Sequence, residues 1–458
     1  MTNLETETSD ILKRIEETID NRKDEYLEVL YKLLRVESIS AQNNGIDEAC
    51  IMLKEVMEDA GIETKVIPYK KNPFIYGEII RDPKAFTLLI YGHYDVQPPD
   101  PIDEWVSPPF EPTIRDGKIY CRGVGDNKGQ LMAQILAVKS YIDTVGNLPI
   151  NIKFIFEGEE EIGSPNLASF VAENKELLKA DLVYTSDGPK HDSGAPLVLL
   201  GVRGMTYIEL TAKGAEWDNH SGNKGNIVPN PAWKIIDLLN TMRDSEGRIL
   251  IEGFYDNIRG ITKREEEIIR SLPFDKKNIA SQIGYEDFDM EKEDYYRKLT
   301  LEPTFNIAGF TSGYGGEGSK TIIPSTAVLK MDIRLVVDQD PDDIYEKFSA
   351  HVKKYAPDIE VKKLAAMKPS RTSSNLEIVD VITNAVRKAF RQEPVLQPSM
   401  GGSLPDYVWT DVLETPSIII PYANFDEANH SPNEKIGVED FINGIKCTCH
   451  VIEEIASR

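Results

Sequence analysis

The sequence predicts an α/β fold, in which a mostly parallel sheet with helices on both faces carries an inserted, smaller α+β domain. Three observations predict it. The chain has 458 residues, which is more than one ordinary hydrophobic core holds. Short apolar runs alternate with helical stretches on both sides of the middle of the chain, and this alternation is typical of parallel sheets. The middle itself shows strands in which apolar and polar residues alternate.

Helices open the chain, and strands then alternate with further helices. The stretches EYLEVLYKLLRVES and EACIMLKEVMEDAG repeat apolar residues at helical spacing, and Gly61 is well placed to cap the second. The strands and helices predicted next are, in chain order, AFTLLIY (85–91), GQLMAQILAVKSYI (129–142), NIKFIF (151–156), LASFVAENKELLKA and DLVYTS (181–186).

The pattern changes near residue 202. MTYIELTAKG and AVLKMDIRLVV (327–337) alternate as half-buried strands, and NPAWKIIDLLNTMRD is an amphipathic helix with Asn230 as its N-cap. The helix–strand alternation resumes after RTSSN with EIVDVITNAVRKAF and PSIIIPYA. We therefore predict a catalytic domain made of residues 1–202 and 372–458, and an inserted domain made of residues 203–371.

Composition limits the partners and the compartment. The formal net charge of −24 disfavours nucleic acid and anionic membranes as partners. No apolar run approaches the ~20 residues of a membrane span, and the polar, acidic N-terminus lacks the features of a signal peptide. Four cysteines in so long a chain suggest a reducing compartment, so we expect a cytoplasmic protein.

Three histidines outside the main motifs have simple interpretations. Cys447 and Cys449, followed by His450, could bind a metal ion, but two thiols on a C-terminal helix are the favoured interpretation. His191 and His351 have no supporting motif and are predicted to be surface residues.

Carboxylates and imidazoles follow five predicted strands. Open parallel sheets carry their sites beyond the carboxyl ends of the strands. Carboxylates with two histidines and no thiolate suit zinc, manganese or cobalt, and five candidate positions suggest two ions that share a carboxylate. The residues that follow the strands are His93 and Asp95, then Asp126, then Glu157, Glu159, Glu160 and Glu161, then Asp187, and finally His430.

Two local patterns support a metal site. His93 and Asp95 are two residues apart, so Asp95 is placed to hydrogen-bond the ring nitrogen of His93 that does not bind metal. The stretch GVGDNKG (123–129) is similar to a dinucleotide-binding loop but has the wrong spacing, and Asp126 would face the pyrophosphate. Asp126 is better explained as a metal ligand next to a helix N-terminus.

Six short stretches resemble the two-metal exopeptidases and amidohydrolases, in the same order and spacing along the chain. That family includes carnosinase-type dipeptidases, carboxypeptidase G, aminoacylase, acetylornithine deacetylase and succinyl-diaminopimelate desuccinylase. The sequences HYDVQP and DNHSG are most similar to those of the carnosinase-type dipeptidases. The matching stretches are YGHYDVQP (91–98), GVGDNKGQ (123–130), FEGEEEIGS (156–164), SDGP (186–189), DNHSG (218–222) and NHSPNE (429–434).

The resemblance implies a metal centre of two divalent ions, zinc or alternatively manganese or cobalt. In this family pattern Asp126 bridges the ions, His93 and Asp187 hold one of them, and Glu161 and His430 hold the other. The glutamate register rests on alignment to the family's Glu-Glu-x-Gly-Ser pattern, which selects Glu160 as general base and Glu161 as ligand. A register shifted by one residue, with Glu159 as base and Glu160 as ligand, stays open as an alternative.

The resemblance also implies the roles of the remaining site residues. Asp95 orients His93, and Glu160 takes a proton from a hydroxide-forming water shared by the metals. The inserted domain is a lid and a homodimerisation surface, from which His220 reaches the neighbouring subunit's site to stabilise the oxyanion. Arg334 pairs with the substrate carboxylate, and two further substrate contacts are Thr321 and Ser403.

The predicted function is hydrolysis of dipeptides or similar small amides that carry a free carboxylate. A deacylase of N-acyl amino acids, of the desuccinylase or deacetylase type, is the alternative within hydrolases. A catalytically silent metal-binding scaffold and a nucleotide-dependent enzyme are alternatives from other classes. The presence of Glu160, Asp95 and all five ligand positions disfavours the scaffold.

Overall fold

A computed structural model describes the backbone of residues 3–458 and the side chains from residue 9 onward. The first residues of the polar N-terminus, on which the signal-peptide expectation depends, therefore lie outside the described part. The helices of the described chain are α1 (Asn3–Asn21), α2 (Lys23–Leu34), α3 (Ile46–Asp59), α4 (Lys128–Val145), α5 (Leu167–Glu173), α6 (Lys175–Leu178), α7 (Ser221–Lys224), α8 (Pro231–Met242), α9 (Lys263–Ser271), α10 (Lys276–Ile283), α11 (Lys292–Thr300), α12 (Pro341–Tyr355), α13 (Glu377–Phe390) and α14 (Val438–Ala456).

Strands are distributed over two larger sheets and three small ones. The strands are β1 (Glu63–Ile67), β2 (Phe74–Ile79), β3 (Thr87–His93), β4 (Thr113–Arg115), β5 (Lys118–Tyr120), β6 (Asn151–Glu157), β7 (Leu182–Thr185), β8 (Leu197–Leu199), β9 (Gly201–Val202), β10 (Gly204–Lys213), β11 (Asn219–His220), β12 (Asn306–Ser312), β13 (Ile322–Ile323), β14 (Thr326–Leu335), β15 (Glu360–Met367), β16 (Ser370–Arg371), β17 (Val395–Gln397), β18 (Ser417–Ile419) and β19 (Lys435–Gly437).

The eight-stranded sheet has the order β1-β2-β6-β3-β7-β18-β8-β17. Its central strands β6, β3, β7 and β18 are parallel, whereas β1 and β2 pair antiparallel at one edge. Side chains alternate between two cores along β3, with Leu88 and Ile90 packed on one face and Leu89 and Tyr91 on the other. Helices cover both faces, so the predicted α/β fold is confirmed.

A four-stranded antiparallel sheet of order β12-β14-β10-β15 lies between β9 and β16 in the chain. Thr206, Ile208 and Leu210 are buried under the helices α8 and α12, as the alternation predicted, while the opposite face is half-exposed. Asn230 caps α8 by accepting a hydrogen bond from the backbone of Ala232 at 2.9 Å. The short strands β9 and β16, which enclose this part of the chain, pair with each other. The domain boundaries at residues 202/203 and 371/372 stay a prediction.

Two expectations about strands and histidines were wrong. The stretch before Asp126 forms only the short strand β5, which pairs with β4 and β19 in a separate sheet and does not join the eight-stranded one. His191 and His351 are buried, because Tyr296 of α11 lies against His191 and Thr241 of α8 lies against His351 on α12. The ring of His351 hydrogen-bonds the Thr241 hydroxyl at 2.8 Å.

The C-terminal cysteines behave as packing residues. Cys447 and Cys449 are buried on α14, and all four cysteines are free thiols. His450 hydrogen-bonds the Glu16 carboxylate at 2.8 Å and does not join the thiols. Over residues 3–458, none of the helices combines the length and apolar character needed to cross a bilayer.

Candidate active site

His93 is the last residue of β3 and is fully buried. Its Nδ1 lies 3.1 Å from the backbone carbonyl oxygen of Asp95, and its Nε2 lies 3.1 Å from Asp126 Oδ1. Because a carbonyl can only accept, Nδ1 carries the proton in the neutral ring, which leaves the lone pair of Nε2 facing the carboxylates. This tautomer, with the proton on Nδ1, leaves Nε2 free to bind a metal ion.

Asp95 supports His93 differently from the prediction. The carbonyl makes the 3.1 Å bond to the ring, whereas the carboxylate Oδ1 lies 3.4 Å from Nδ1. The same carboxylate accepts hydrogen bonds from the backbone N–H groups of Glu160 at 3.2 Å and Glu161 at 3.1 Å. Asp95 therefore contacts both the ring of His93 and the backbone of the turn that carries Glu160 and Glu161.

Asp126 lies between the two imidazoles. Its Oδ1 is 3.1 Å from His93 Nε2, and its Oδ2 is 3.0 Å from His430 Nε2. The peptide bond between Asp126 and Asn127 is cis. One carboxylate whose oxygens face two different nitrogen ligands has the arrangement expected of a bridge between two cations.

Of the remaining candidate ligands, one lies beside His93 and the other beside His430. Asp187 Oδ2 lies 3.7 Å from His93 Nε2, and Glu161 Oε2 lies 3.2 Å from His430 Nε2. Ligand atoms of His93, Asp126 and Glu161 all lie within 4.8 Å of one another. The side chain of His430 is 55% exposed, so the cluster opens to solvent on that side.

The electrostatics of the cluster fit bound cations. Burial, followed by the charge of Asp126, raises the pKa of Asp187 to about 7. Burial also raises the pKa of Glu160 well above its usual range, and Asp187 and Asp126 add to that rise. Hydrogen bonds to Asp126 and Glu161 raise the pKa of His430 to about 10. Buried carboxylates that repel one another, with imidazole nitrogens beside them, are a donor set suited to divalent metal ions.

The glutamates of FEGEEEIGS have separate surroundings. Glu160 Oε2 lies 4.0 Å from His93 Nε2, which places it at the cluster. The oxygens of Glu159 accept hydrogen bonds from the Asn72 backbone at 3.2 Å and from Asn166 at 2.6 Å, and Glu157 Oε1 accepts from the Tyr91 hydroxyl at 2.7 Å. Glu159 is thus bound outside the cluster, which favours the register in which Glu160 and Glu161 face the metals.

Three residues that hold the candidate ligands were missed by the sequence analysis. Gln97 donates to Glu161 Oε2 at 2.8 Å, and Asn127 donates to the carbonyl oxygen of Ser186 at 2.6 Å, next to Asp187. Glu434 accepts from the backbone N–H groups of Gly123, Gly125 and Asp126 at 2.9–3.0 Å. All three lie within motifs quoted above, and this position in a motif was the only sequence feature that could have pointed to them.

The predicted substrate contacts form two further groups. Arg334 on β14 donates a hydrogen bond of 2.7 Å to the Ser403 hydroxyl. His220 pairs with Ile322 in the small β11–β13 ribbon, and Thr321 comes just before β13, where its carbonyl accepts from Ser221 N–H at 3.1 Å. His220 is exposed, and no hydrogen bond or ion pair among the described residues joins it to the metal-binding cluster.

Comparison with known proteins identifies the family. The model of "Peptidase family M20/M25/M40" matches residues 89–454. The chain belongs to this peptidase family. As a family member it is a hydrolase, and the recognition of the two-metal exopeptidases from the sequence is confirmed.

Relatives cover nearly the whole chain. It is 28% identical to the Cys-Gly metallodipeptidase dug1 of Schizosaccharomyces pombe, over 97% of this chain and 98% of the relative. It is also 28% identical to the human Beta-Ala-His dipeptidase, over 97% of this chain and 93% of the relative. The crystal structure of the M20 family metallo-carboxypeptidase Sso-CP2 from Sulfolobus solfataricus is 37% identical, with a TM-score of 0.88 over 95% of this chain and 100% of that chain.

Proposed function

We propose that the protein is a metallo-exopeptidase that hydrolyses dipeptides, or similar small peptide-like amides, with a free carboxylate. The single observation that carries the proposal is the position of Asp126, whose two oxygens face the rings of His93 and His430. The relatives named as dipeptidases, which match nearly the whole chain, support dipeptides as the substrate class.

The donor set is assigned to two divalent ions, for which zinc is the proposed metal. His93 and Asp187 would hold one ion, Glu161 and His430 the other, and Asp126 both. Ions bound there supply Lewis-acid chemistry to the scissile carbonyl.

Glu160 is the proposed general base. Its carboxylate accepts a proton from the attacking water and returns it to the nitrogen of the leaving amine. Asp95 holds the backbone N–H of Glu160 at 3.2 Å, so the base is positioned by the residue that also orients His93.

Arg334 and Ser403 are proposed to bind the substrate carboxylate, with Thr321 as a further contact. A guanidinium makes charge-assisted hydrogen bonds to a carboxylate, and Ser403 lies 2.7 Å from it. With the carboxylate at Arg334 and the scissile carbonyl at the metals, the bond next to the C-terminal residue would be the one cleaved. The result is an exopeptidase for short substrates.

A homodimer through the inserted part of the chain is also proposed. His220 on β11 and Thr321 just before β13 are both exposed, where a second copy could receive them. In that arrangement His220 donates a hydrogen bond to the oxyanion in the neighbouring subunit's site. Mixed dimers that pair a His220→Ala subunit with a subunit lacking a metal ligand would regain activity.

A substrate panel tests the activity. Zinc-loaded protein is assayed against alanylglycine, its C-terminal amide and N-acetylglycine. We expect rapid cleavage of the free dipeptide and little cleavage of the other two. Faster cleavage of N-acetylglycine than of alanylglycine would instead support the deacylase, and absence of cleavage of all three would overturn the hydrolase proposal for these classes.

A matched pair of variants tests the base. Glu160→Gln is expected to lower kcat by about 1,000-fold or more while metal content is unchanged, because general acid–base catalysis typically contributes that much. Glu159→Gln is the control and should keep most of the activity, because Glu159 bonds to Asn72 and Asn166 outside the cluster. The reverse outcome would assign the base to Glu159.

A further inference from the structure

The backbone segment Met400–Ser403 lies beside Arg334 and turns its carbonyls toward another arginine, Arg203. The backbone N–H of Arg203 lies 3.2 Å from the carbonyl oxygen of Met400 and 3.1 Å from that of Gly402. Its Nε donates to the carbonyl oxygen of Gly401 at 2.9 Å. Three successive carbonyls are therefore held by one residue.

The N–H groups of the same segment are left available. Within residues 9–458, no hydrogen bond is donated by the backbone N–H groups of residues 401–404, and these residues are half-exposed. Successive backbone N–H groups without partners form binding sites for anions. The Ser403 hydroxyl and the Arg334 guanidinium lie at the end of this segment, 2.7 Å apart.

Arg203 also adds positive charge beside Arg334, and Asp332, which lies 3.9 Å from Arg334, offsets part of it. Arg203 is only 8% exposed, and among the described residues it takes part in no ion pair. Met205 faces Arg334 across the β10–β14 pair, so Arg203, two residues earlier, is a diagonal neighbour of Arg334. Burial, followed by the charge of Arg334, lowers the pKa of Arg203 to about 10. Two neighbouring guanidiniums in so acidic a chain indicate a site for an anion.

We propose that Arg203 is a positioning residue for the substrate carboxylate. Its side chain holds the carbonyl of Gly401, between the two carbonyls that its backbone N–H holds. In this way it keeps the N–H groups of the segment and the Ser403 hydroxyl turned to the carboxylate that Arg334 binds. The inference rests on the proposed function, because it assigns a residue that supports the selection of free acids over amides by Arg334.

The test measures selectivity between a carboxylate and an amide. Metal-loaded protein is titrated by calorimetry with a non-hydrolysable phosphinic dipeptide analogue, as the free acid and as the C-terminal amide. Arg203→Met is expected to lower the acid-to-amide affinity ratio about 10-fold, equivalent to about 1.4 kcal/mol, because the Gly401 carbonyl loses its Nε donor and the segment loses its orientation. Arg203→Lys, which keeps the charge but not the Nε geometry, should lower the ratio by a smaller factor.

Arg371→Met is the matched control. Arg371 lies on β16, its side chain is similarly buried, and it pairs with Glu265 at 3.4 Å. Among the described residues, no hydrogen bond or ion pair joins its side chain to residues 400–403. Arg371→Met should leave the ratio unchanged. An unchanged ratio in Arg203→Met, or an equal fall in Arg371→Met, would overturn the assignment. Should Arg203→Met fail to fold in thermal unfolding, an unchanged ratio in Arg203→Lys would overturn it in the same way.

Failure of the proposed function has a different signature. If the wild type cleaves no dipeptide but its acid preference still depends on Arg203, the activity is wrong and the positioning role stands. If the wild type shows no preference for the acid, the role of Arg203 is wrong, whatever the activity.

Discussion

The two ends of the candidate site carry opposite charge and are built in opposite ways. At one end, Asp126, Glu160, Glu161 and Asp187 converge around imidazole rings. The amide of Gln97 holds the Glu161 carboxylate there, and backbone N–H groups hold that of Asp95. At the other end, an arginine holds backbone carbonyls and leaves N–H groups exposed. The formal net charge of the chain is −24, yet one of the two regions is positively charged. The charge of each region therefore depends on which side chains the fold brings together there.

The largest expected effect is at the acidic end. Asp126→Asn should lower kcat/KM roughly 1,000-fold or more, because loss of metal catalysis removes several kcal/mol of transition-state stabilisation. Metal analysis should show fewer than two bound ions per chain. Two fully occupied sites with normal activity would break the assignment of Asp126 as the shared ligand.

A smaller effect is expected at the basic end. Arg334→Met should lower kcat/KM for a free dipeptide about 100-fold and hardly change it for the C-terminal amide, because a charge-assisted hydrogen bond is lost. Metal content should stay at the wild-type value. An equal loss for both substrates would show that Arg334 supports the fold and does not select the carboxylate.

The smallest effect is expected from the residues behind the ligands. Gln97→Leu removes the 2.8 Å hydrogen bond to Glu161 Oε2, and similar outer partners contribute about 10-fold in metal affinity. Competition with a chelator should show one ion released more readily, and the selectivity between acid and amide should be unchanged. A change in that selectivity would mean that the two ends are coupled.

The sequence predicted most of the fold because its signals are local. Helical spacing and alternation placed β3, β6, β7 and the strands β10 and β14 at their observed positions. Asp126 was predicted at the end of a sheet strand, but β5 pairs with β4 and β19, and pairing between distant short strands leaves no local pattern. The burial of His191 and His351 was missed for the same reason, since their neighbours come from other elements.

The candidate site residues could be selected from the order and spacing of their motifs. The residues that hold them in place by hydrogen bonds could not be selected in this way. Glu434 follows His430 in a quoted motif, but its role depends on reaching the backbone of residues 123–126, more than 300 positions away. No sequence pattern pointed to Arg203, because its hydrogen-bond partners are backbone carbonyls, which every residue has. Ligand types can be predicted from sequence, whereas hydrogen bonds to backbone depend on the fold.

The pairing of β9 with β16 has a consequence for the history of such chains. Val202 and Ser370 are partners across this pair, so the polypeptide leaves for the four-stranded sheet and returns at neighbouring positions. A segment with adjoining ends can be acquired, exchanged or deleted by a single genetic event without rethreading the eight-stranded sheet. The same adjacency lets a protein engineer join the two ends with a short linker and ask what the remaining hydrolase still recognises.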